Sequence, residues 1–281
     1  MNTKETKIFA ANIRKTILYG LSTVKAGHIG GCMSMADLLA VLYGDEMNVD
    51  PSNPKLETRD RLVVSKGHCG PAVYAALALK GFFPMEWMKT INVSKSKLPS
   101  HCDMNKVPGI DMTTGSLGQG MSTSLGLAWG LRYQNINSYV YLVLGDGECD
   151  EGQVWEGALF AGTRKLNNVI AFVDRNLKQL DGYTKDICDV GDLRKKFEDF
   201  GWLSQEVDGH DVDAIKKAID IAKSQKEKPS MIVLDTIKGK DCTFAQDVFY
   251  NHHITFTDEQ LLEANKHLDE IIKEAWHVWN L

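Results

Sequence analysis

Short, continuous apolar runs alternate along the chain with longer amphipathic stretches. Four runs rich in β-branched residues predict strands over residues 61–65, 139–144, 168–174 and 230–235. Such runs are typical of strands buried on both faces of a parallel sheet. Between them, apolar residues at helical spacing predict helices over residues 5–24, 34–43, 117–133, 151–165, 211–225 and 258–276.

Strands separated by helices of this length predict βαβ units. The expected fold class is therefore α/β, with a doubly wound, mostly parallel sheet flanked by helices. No linker, repeat or low-complexity segment divides the sequence, so we expect residues 1–281 to form a single domain. The longest irregular stretches, 94–115 and 178–192, are candidates for functional loops.

The composition, 43% hydrophobic and 25% charged, excludes a disordered, collagen-like or coiled-coil protein. The net charge of −5 argues against a nucleic-acid binder, which normally carries a strongly basic surface. No run of apolar residues is long enough to span a membrane, and the N-terminus does not resemble a signal peptide. The six cysteines form no C-x-x-C motif. Neither a zinc site nor a thiol pair is therefore predicted, and a cytoplasmic location is expected.

The most informative local feature is Gly145-Asp146-Gly147, which follows the most apolar predicted strand and precedes a helix. Ligands of open α/β sheets bind beyond the carboxyl ends of strands, and a helix N-terminus offers free N–H groups to an anion. Asp146 is placed there to bind a metal ion. A plain strand-to-helix turn with a capping aspartate remains the alternative.

The next predicted strand strengthens the metal hypothesis. It ends at Asp174, and Asn176 follows Asp146 by 30 residues, the length of one helix and one strand. Two neighbouring parallel strands would present Asp146 and Asn176 side by side. Carboxylate and amide oxygens suit Mg²⁺ or Ca²⁺, and Mg²⁺ usually completes its shell with phosphate oxygens. The two motifs together predict a metal–diphosphate site.

Most of the histidines lie in loops rich in glycine, proline or polar residues: His28, His68, His101, His252 and His253. A single loop histidine is usually a surface residue, but several could converge on one pocket. Histidine suits phosphate binding and proton transfer near neutral pH. His210 is predicted to lie in a turn, and His267 and His277 on the surface of the last helix.

Residues 113–120, with the sequence T-T-G-S-L-G-Q-G, form a glycine-rich entry to a predicted buried helix. The segment matches neither the phosphate loop of P-loop enzymes nor the G-x-G-x-x-G motif of dinucleotide-binding domains. It could serve close packing alone. It could also let backbone groups touch a flat ligand.

In order and spacing these motifs resemble the N-terminal, diphosphate-binding half of transketolase, from about residue 12 to about residue 262. The resemblance includes A-G-H-I-G-G, S-K-G-H, T-T-G-S-L-G-Q-G, G-D-G-E-C-D-E-G with D-R-N, F-E-D-F-G-W, D-G-H-D and K-G-K followed by histidine. It implies a thiamine diphosphate-binding fold and a transketolase activity. A two-carbon glycolaldehyde unit would pass from a ketose or ketose phosphate to an aldose or aldose phosphate through a thiamine diphosphate carbanion, as in the pentose phosphate pathway.

The resemblance also implies roles for individual residues. The metal ion, Mg²⁺ or Ca²⁺, would be bound by Asp146, Asn176 and the carbonyl of Lys178. Thiamine diphosphate would contact His68, Gly115, Leu117, Gly145, Gly147, Glu151, Asn176 and His252. The proton-transfer residues in the substrate channel would be His28, His68, His101 and His252.

Three departures from the family pattern affect this assignment, and one of them is the poor match of residues 243–250. Ile29 stands where the family has proline, which leaves His28 in place. His253 stands where the family has glycine, so the choice between His252 and His253 stays open. We prefer His252 because residues 258–261 then fall in register with the family.

A transketolase chain is more than twice as long and also carries a pyrimidine-binding domain and a C-terminal domain. The resemblance therefore implies a partner subunit that supplies both, in an assembly of two chains of each kind, with sugar phosphates as substrates. A related subunit that acts on other sugars is one alternative. A cofactor-binding remnant without activity is another.

Overall fold

A computed structural model describes residues 1–277; the last four residues of the expected single domain lie outside the described residues. The described part contains strands β1 (Ala26–Gly27), β2 (Arg61–Val64), β3 (Val140–Gly145), β4 (Val169–Arg175), β5 (Leu203–Asp208), β6 (Ser230–Asp235) and β7 (Ile254–Thr255). Its α-helices are α1 (Thr3–Leu21), α2 (Ile29–Ser34), α3 (Ala36–Val41), α4 (Gly70–Lys80), α5 (Gln119–Tyr133), α6 (Gly152–Thr163), α7 (Thr184–Ile187), α8 (Leu193–Asp199), α9 (Val212–Ser224) and α10 (Asp258–His277).

Five strands form one sheet in the order β2-β3-β4-β6-β5, and every neighbouring pair is parallel. β1 and β7 form a separate antiparallel pair. The order of the strands in the sheet differs from their order in the chain at β5, which lies at the edge. The chain then returns inward to form β6 between β4 and β5. Right-handed crossovers then place α9 on the opposite face from α6 and α8. The predicted doubly wound α/β fold is confirmed.

The central sheet separates two hydrophobic cores. Successive strand residues point to opposite faces, so Tyr141 and Val143 pack with α1, α3, α4, α9 and α10, whereas Leu142 and Leu144 pack with α5, α6 and α8. Burial on both faces explains why these strands are continuously apolar. No helix of the described part is long and apolar enough to cross a membrane.

The four predicted strands are present within one or two residues of their predicted bounds, but the sequence analysis missed β5. This strand lies at the edge of the sheet and is only partly buried. Its residues Ser204, Gln205 and Glu206 are polar, so it produces no apolar run. An edge strand needs hydrogen bonds from a single neighbour, and β6 supplies them.

Several predicted helix bounds were wrong, and the helices α2, α4, α7 and α8 were missed. The helix predicted over 34–43 corresponds to α3, which begins only at Ala36 and is followed by a π-helical turn over Leu42–Glu46. The first helix ends at Leu21 rather than at residue 24, and α5 begins at Gln119, because Gly118 before it has φ of +80°. The helix α4 was missed because it is apolar on nearly all sides and lacks an amphipathic period. The short helix α8 was missed as well.

Candidate functional site

A cavity of about 360 Å³ opens at the carboxyl ends of β2, β3, β4 and β6. A volume of this order fits a small-molecule or cofactor site. All residues predicted to bind metal or cofactor or to move protons lie on its lining: His28, His68, His101, Gly115, Leu117, Gly145, Asp146, Gly147, Glu151, Asn176, Lys178 and His252. The parallel sheet brings the segments that follow β2, β3, β4 and β6 together, because each follows the same end of a strand.

The metal–diphosphate edge lies between β3 and β4. Gly145 pairs with Asp174 in the sheet, so Asp146 and Asn176 emerge next to each other, as the spacing predicted. Asp146 accepts hydrogen bonds from the backbone N–H groups of Gly147 (2.9 Å) and Leu177 (2.5 Å). Burial, reinforced by the charge of Asp174, raises the pKa of Asp146 to about 6. A nearby cation would therefore be favourable for this carboxylate.

The oxygen atoms at this edge fit a hard divalent cation. The Asn176 amide donates to Asp174 (3.1 Å), while its oxygen accepts only a long bond from the Lys178 N–H (3.3 Å). In the described part of the chain no three His, Cys, Asp or Glu side chains are grouped to hold a metal ion. A cation here would therefore use one carboxylate, an amide oxygen, the Lys178 carbonyl and oxygens of a bound diphosphate, a set that suits Mg²⁺.

A network that we call the cavity floor lies beneath this edge. Asp174 forms a salt bridge with Lys66 and accepts hydrogen bonds from Ser34 (2.6 Å) and Thr236 (2.5 Å). Burial would raise the pKa of Asp174, but Lys66 and these donors hold it below its usual range. The floor also orients the Asn176 amide, because Asp174 accepts from its nitrogen.

The predicted histidines converge above the floor. The ring centroids of His68, His101 and His252 lie 5.3, 5.6 and 5.4 Å from that of His28. The β1–β7 pair explains part of this, since His28 directly follows β1 and residues 252–253 directly precede β7. His253 is exposed and its ring lies 4.7 Å from His28, but it is not part of the lining.

His28 and His252 are neutral near pH 7. Burial, together with neighbouring His68 and His253, lowers the pKa of His28 to about 4. Burial, together with Lys238 and His68, lowers the pKa of His252 to about 3. The Nδ1 atom of His28 is buried without a hydrogen-bond partner in the described part. A neutral imidazole has one nitrogen that donates and one that accepts a hydrogen bond, and both can bind the hydroxyl groups of a sugar.

The glycine-rich segment contributes Gly115 and Leu117 to the cavity lining. Gly118 precedes α5 with a positive φ, a conformation that side chains rarely adopt. Gly67 packs against the backbone of this segment so closely that a Cβ atom on it would lie 2.4 Å from the Thr114 carbonyl oxygen. Glu148 joins the two sides by accepting hydrogen bonds from the backbone N–H groups of Gly118 (2.8 Å) and Gly145 (3.0 Å). These bonds fix the start of α5 next to the end of β3.

Three buried charged residues of the cavity were missed by the sequence analysis: Lys66, Glu148 and Lys238. Each lies inside a motif that the sequence displays, S-K-G-H, G-D-G-E or K-G-K. Charged residues in loops are ordinarily exposed, so the letters alone did not indicate burial. His210, predicted in a turn, does follow β5, but its ring also bonds Asp37 (2.8 Å) and the Ile237 N–H (2.8 Å).

Fold and site together define a thiamine diphosphate-binding domain of the transketolase type. Residues 6–271 match the family described as "Transketolase, thiamine diphosphate binding domain". The chain therefore belongs to the transketolase family, and the resemblance drawn from the motifs is confirmed.

The similar proteins are of two kinds: subunits of about the length of this chain, and transketolases about twice as long. A 6-deoxy-6-sulfo-D-fructose transketolase subunit of Clostridium sp. (strain MSTE9) is 48% identical over 258 residues, 92% of this chain and 94% of that one. One of the subunits of an apulose-4-phosphate transketolase, from Phocaeicola vulgatus, is 35% identical over 93% of this chain and 92% of its own. Transketolase 2 of Escherichia coli is 33% identical, and the match covers 98% of this chain but 44% of the longer protein.

Solved structures support the same family. Transketolase from Campylobacter jejuni matches with a TM-score of 0.89 and 28% identity over 96% of this chain and 43% of that chain. A transketolase complex with sedoheptulose-7-phosphate from Pichia stipitis matches with a TM-score of 0.84 and 29% identity over 99% of this chain. The chain spans less than half the length of these two solved transketolases.

Proposed function

We propose that this chain is the cofactor-binding subunit of a split transketolase. It would hold thiamine diphosphate and Mg²⁺ or Ca²⁺, and a partner subunit would supply the pyrimidine-binding and C-terminal domains in an α2β2 assembly. The complex would transfer a two-carbon unit from a ketose to an aldose. The observation that carries this proposal is one cavity that combines an all-oxygen metal edge with four converging histidines.

Each part of the cavity has a task in this proposal. Asp146, Asn176 and the Lys178 carbonyl would bind the divalent ion, and the N–H groups near Gly147 would face the diphosphate. Bound thiamine diphosphate would supply the electron sink for breaking the ketose carbon–carbon bond. His28, His101 and the other channel histidines would hold and move hydroxyl protons of donor and acceptor.

A partner subunit is supported by the surface around the cavity. Leu177, Leu180 and Tyr250 are more than half exposed, at 56%, 59% and 66%. Tyr183 and Phe249, whose rings lie 5.1 Å apart, extend the same apolar surface. Exposed apolar area of this kind marks a protein interface, and the relatives of matching length are named as subunits. The six free cysteines support a cytoplasmic enzyme.

The donor that we would test first is 6-deoxy-6-sulfo-D-fructose. The relative named for that sugar is 48% identical, whereas the subunit named for apulose-4-phosphate is 35% identical. Both donors carry an anion at the far end from the transferred unit, as does fructose 6-phosphate. The residues that distinguish sulfonate from phosphate would lie mainly on the partner subunit.

The test is ketol transfer by the co-expressed complex of this chain with the product of the neighbouring gene. The donors would be 6-deoxy-6-sulfo-D-fructose, fructose 6-phosphate and apulose-4-phosphate, offered with a panel of aldose phosphates, thiamine diphosphate and Mg²⁺. Mass spectrometry would follow the shortened carbonyl product that each donor leaves behind after loss of its two-carbon unit.

We expect the pair to be active and each chain alone to be inactive. Activity of this chain alone would contradict the split enzyme. A complex that binds thiamine diphosphate but transfers from none of these donors would contradict the substrate assignment. Failure of the chain and of its complex to bind thiamine diphosphate would contradict the proposed function, because the fold would then be kept without the chemistry.

A further inference from the structure

A second cavity, which we call the basic cavity, lies at the amino end of β2, whereas the first cavity opens at the carboxyl end of that strand. Its volume is about 650 Å³, which lies in the range of small-molecule sites. Among the described residues, its charged lining side chains are Lys55, Arg59, Arg61, Lys106 and Asp111. Cations therefore outnumber carboxylates here, although the chain as a whole has a net charge of −5.

The two arginines of the basic cavity share one carboxylate. Arg59 forms a salt bridge with Asp111, and Nε of Arg61 lies 3.8 Å from the same carboxylate. The other guanidinium nitrogens of Arg61 donate to backbone carbonyls of residues 57, 59 and 60. Nε of Arg59 is buried without a hydrogen-bond partner in the described part of the chain. The pair therefore carries one positive charge more than Asp111 balances.

Asp60, which lies between the two arginines in the sequence, does not pair with this charge. Its carboxylate accepts hydrogen bonds from the backbone N–H groups of Asn48 (2.9 Å) and Tyr139 (2.8 Å). Within residues 1–277 it forms no salt bridge with either arginine. Burial, reinforced by the charge of Arg59, lowers the pKa of Arg61. An anion that enters the basic cavity would favour the charged form of Arg61.

The rest of the lining indicates what kind of anion would fit. Pro54, Met104, Val107, Ile110 and Leu127 contribute apolar surface to the same cavity. Arginine and lysine are the side chains that bind phosphate groups, arginine through two parallel hydrogen bonds. Inorganic phosphate would use the cations alone, whereas an organic phosphate would also bury part of its body on the apolar residues. The lining therefore favours an organic phosphate.

One segment of the chain connects the two cavities. It begins at His101 and ends at Gly115, which line the first cavity, while residues 104–111 line the basic cavity. Asp111 fastens the segment to β2 by accepting a hydrogen bond from the Leu62 N–H (2.8 Å). A ligand bound to Lys106 and the arginines would hold the segment at the same end.

We propose that the basic cavity binds an organic phosphate, whose phosphate group contacts Arg61, Lys55 and Lys106, and that the bound ligand stabilises residues 101–115. Nucleotides and sugar phosphates share this chemistry. The inference goes beyond the proposed function and does not depend on it, because the two linings share no residue in the described part of the chain.

The experiment is calorimetry of the full-length chain with adenosine monophosphate, fructose 6-phosphate and inorganic phosphate. A chelator would remove divalent ions, which could otherwise draw phosphates to the metal edge. The variants are Arg61→Gln and the double variant Lys55→Gln/Lys106→Gln, whose two lysines are exposed. Lys217→Gln is the matched control, because Lys217 is an exposed lysine of α9 outside the lining. Hydrogen–deuterium exchange would locate the bound ligand.

We expect one organic phosphate to bind at least about 10-fold more tightly than inorganic phosphate, because its body adds apolar contact. Arg61→Gln should weaken that binding by about 10- to 100-fold, and the double lysine variant by about 3- to 10-fold. Lys217→Gln and Asp146→Ala should stay within about 2-fold of wild type. The ligand should slow exchange in residues 101–115. Tighter binding of the nucleotide or of the sugar phosphate identifies which source the site prefers.

Equal or weaker binding of both organic phosphates, compared with inorganic phosphate, would overturn this inference. Binding that Asp146→Ala abolishes and Arg61→Gln preserves would also overturn it, because the ligand would then lie in the first cavity. Protection of residues 104–111 by the partner subunit but by none of the phosphates would show a protein contact instead. If Arg61→Gln does not fold, unchanged affinity in the double lysine variant would overturn the inference. None of these results bears on thiamine diphosphate binding.

Discussion

The floor and the wall of the cavity are both buried and polar, but only the floor is satisfied by the protein itself. We define the wall as His28, Lys238 and His252. On the floor, Asp174 forms a salt bridge with Lys66 and accepts hydrogen bonds from two hydroxyl groups. On the wall, His28 Nδ1 has no hydrogen-bond partner in the described part and Lys238 has a carbonyl and an imidazole in place of a carboxylate.

This difference distinguishes buried polar groups that stabilise the fold from buried polar groups that are available to bind a ligand. Buried polar groups are costly unless they are paired, so a completed network mainly holds the fold together. An incomplete network keeps its hydrogen-bonding capacity for a ligand. His210 belongs to the first kind, because Asp37 and the Ile237 N–H satisfy both of its ring nitrogens. His28 belongs to the second kind.

The largest expected effect is on the floor. Asp174→Ala should lower the free energy of unfolding by about 3–5 kcal/mol, because it leaves the Lys66 charge buried without a partner. Urea denaturation would measure this. Asp235→Ala is the control, because Asp235 lies in the neighbouring strand β6 and pairs with Arg175 but is half exposed. Its loss should cost under about 1 kcal/mol. Equal losses would remove the distinction between floor and surface.

Asp146→Ala should separate stability from binding. Removing the carboxylate should weaken Mg²⁺-dependent thiamine diphosphate binding by more than about 100-fold, beyond the usual effect of an outer-shell residue. The folded chain should lose little stability, because burial already disfavours this charge. Calorimetry and thermal melting would measure both, with the exposed Asp181→Ala as control. Retained metal-dependent binding would refute the metal edge.

The adjacent histidines offer a matched pair on the wall. His252→Ala should lower kcat/KM by about 10²-fold or more, as for a group that transfers or holds a proton. His253→Ala should change it by less than about 3-fold, because His253 lies outside the cavity lining. Steady-state kinetics of the complex would decide between them. A larger effect at His253 would reverse the preference for His252.

The acid titration of the wall tests whether His28 and His252 are buried as the structure places them. The pKa values of His28, about 4, and His252, about 3, lie below the roughly 6.5 of an unfolded-chain histidine. Between these values the unfolded chain binds more protons, so these groups lower stability as the pH falls below ~6.5. Below the pKa of His252, about 3, both histidines are protonated in the folded chain as well, and they no longer change the dependence of stability on pH.

Proton NMR of the imidazole Cε1–H signals would measure this titration, with His28→Asn and His252→Asn used for assignment. We expect both midpoints below pH 5, and a less acid-sensitive free energy of unfolding in the double variant. Midpoints near 6.5 would place both rings in an open, solvated environment.

Much of the fold was accessible from the sequence because burial on two faces leaves a direct signal. The strands β2, β3, β4 and β6 are apolar throughout and were predicted, whereas β5 is polar at the sheet edge and was missed. The helix α4 was missed for the opposite reason, since complete burial removes its period. Periodicity therefore detects elements with one or two clearly apolar faces and loses those at either extreme.

Some residues of the site could likewise be placed from the sequence, and others could not. Asp146 and Asn176 could be placed side by side because strand ends in a parallel sheet meet at one edge. Lys238 could not be recognised, because a lysine in a loop is ordinarily exposed and nothing local marks it as buried. The choice between His252 and His253 likewise depends on which ring faces the cavity.

The sequence by itself determined the alternation of strands and helices, the strand-end motifs and the family, because these depend on neighbouring residues and their spacing. Only the tertiary structure decided which polar groups are buried and which of those are paired. Burial and pairing arise between segments far apart in the chain, such as Lys66 with Asp174 or Lys238 with Lys178. The free energy that distinguishes a floor from a binding wall depends on those contacts.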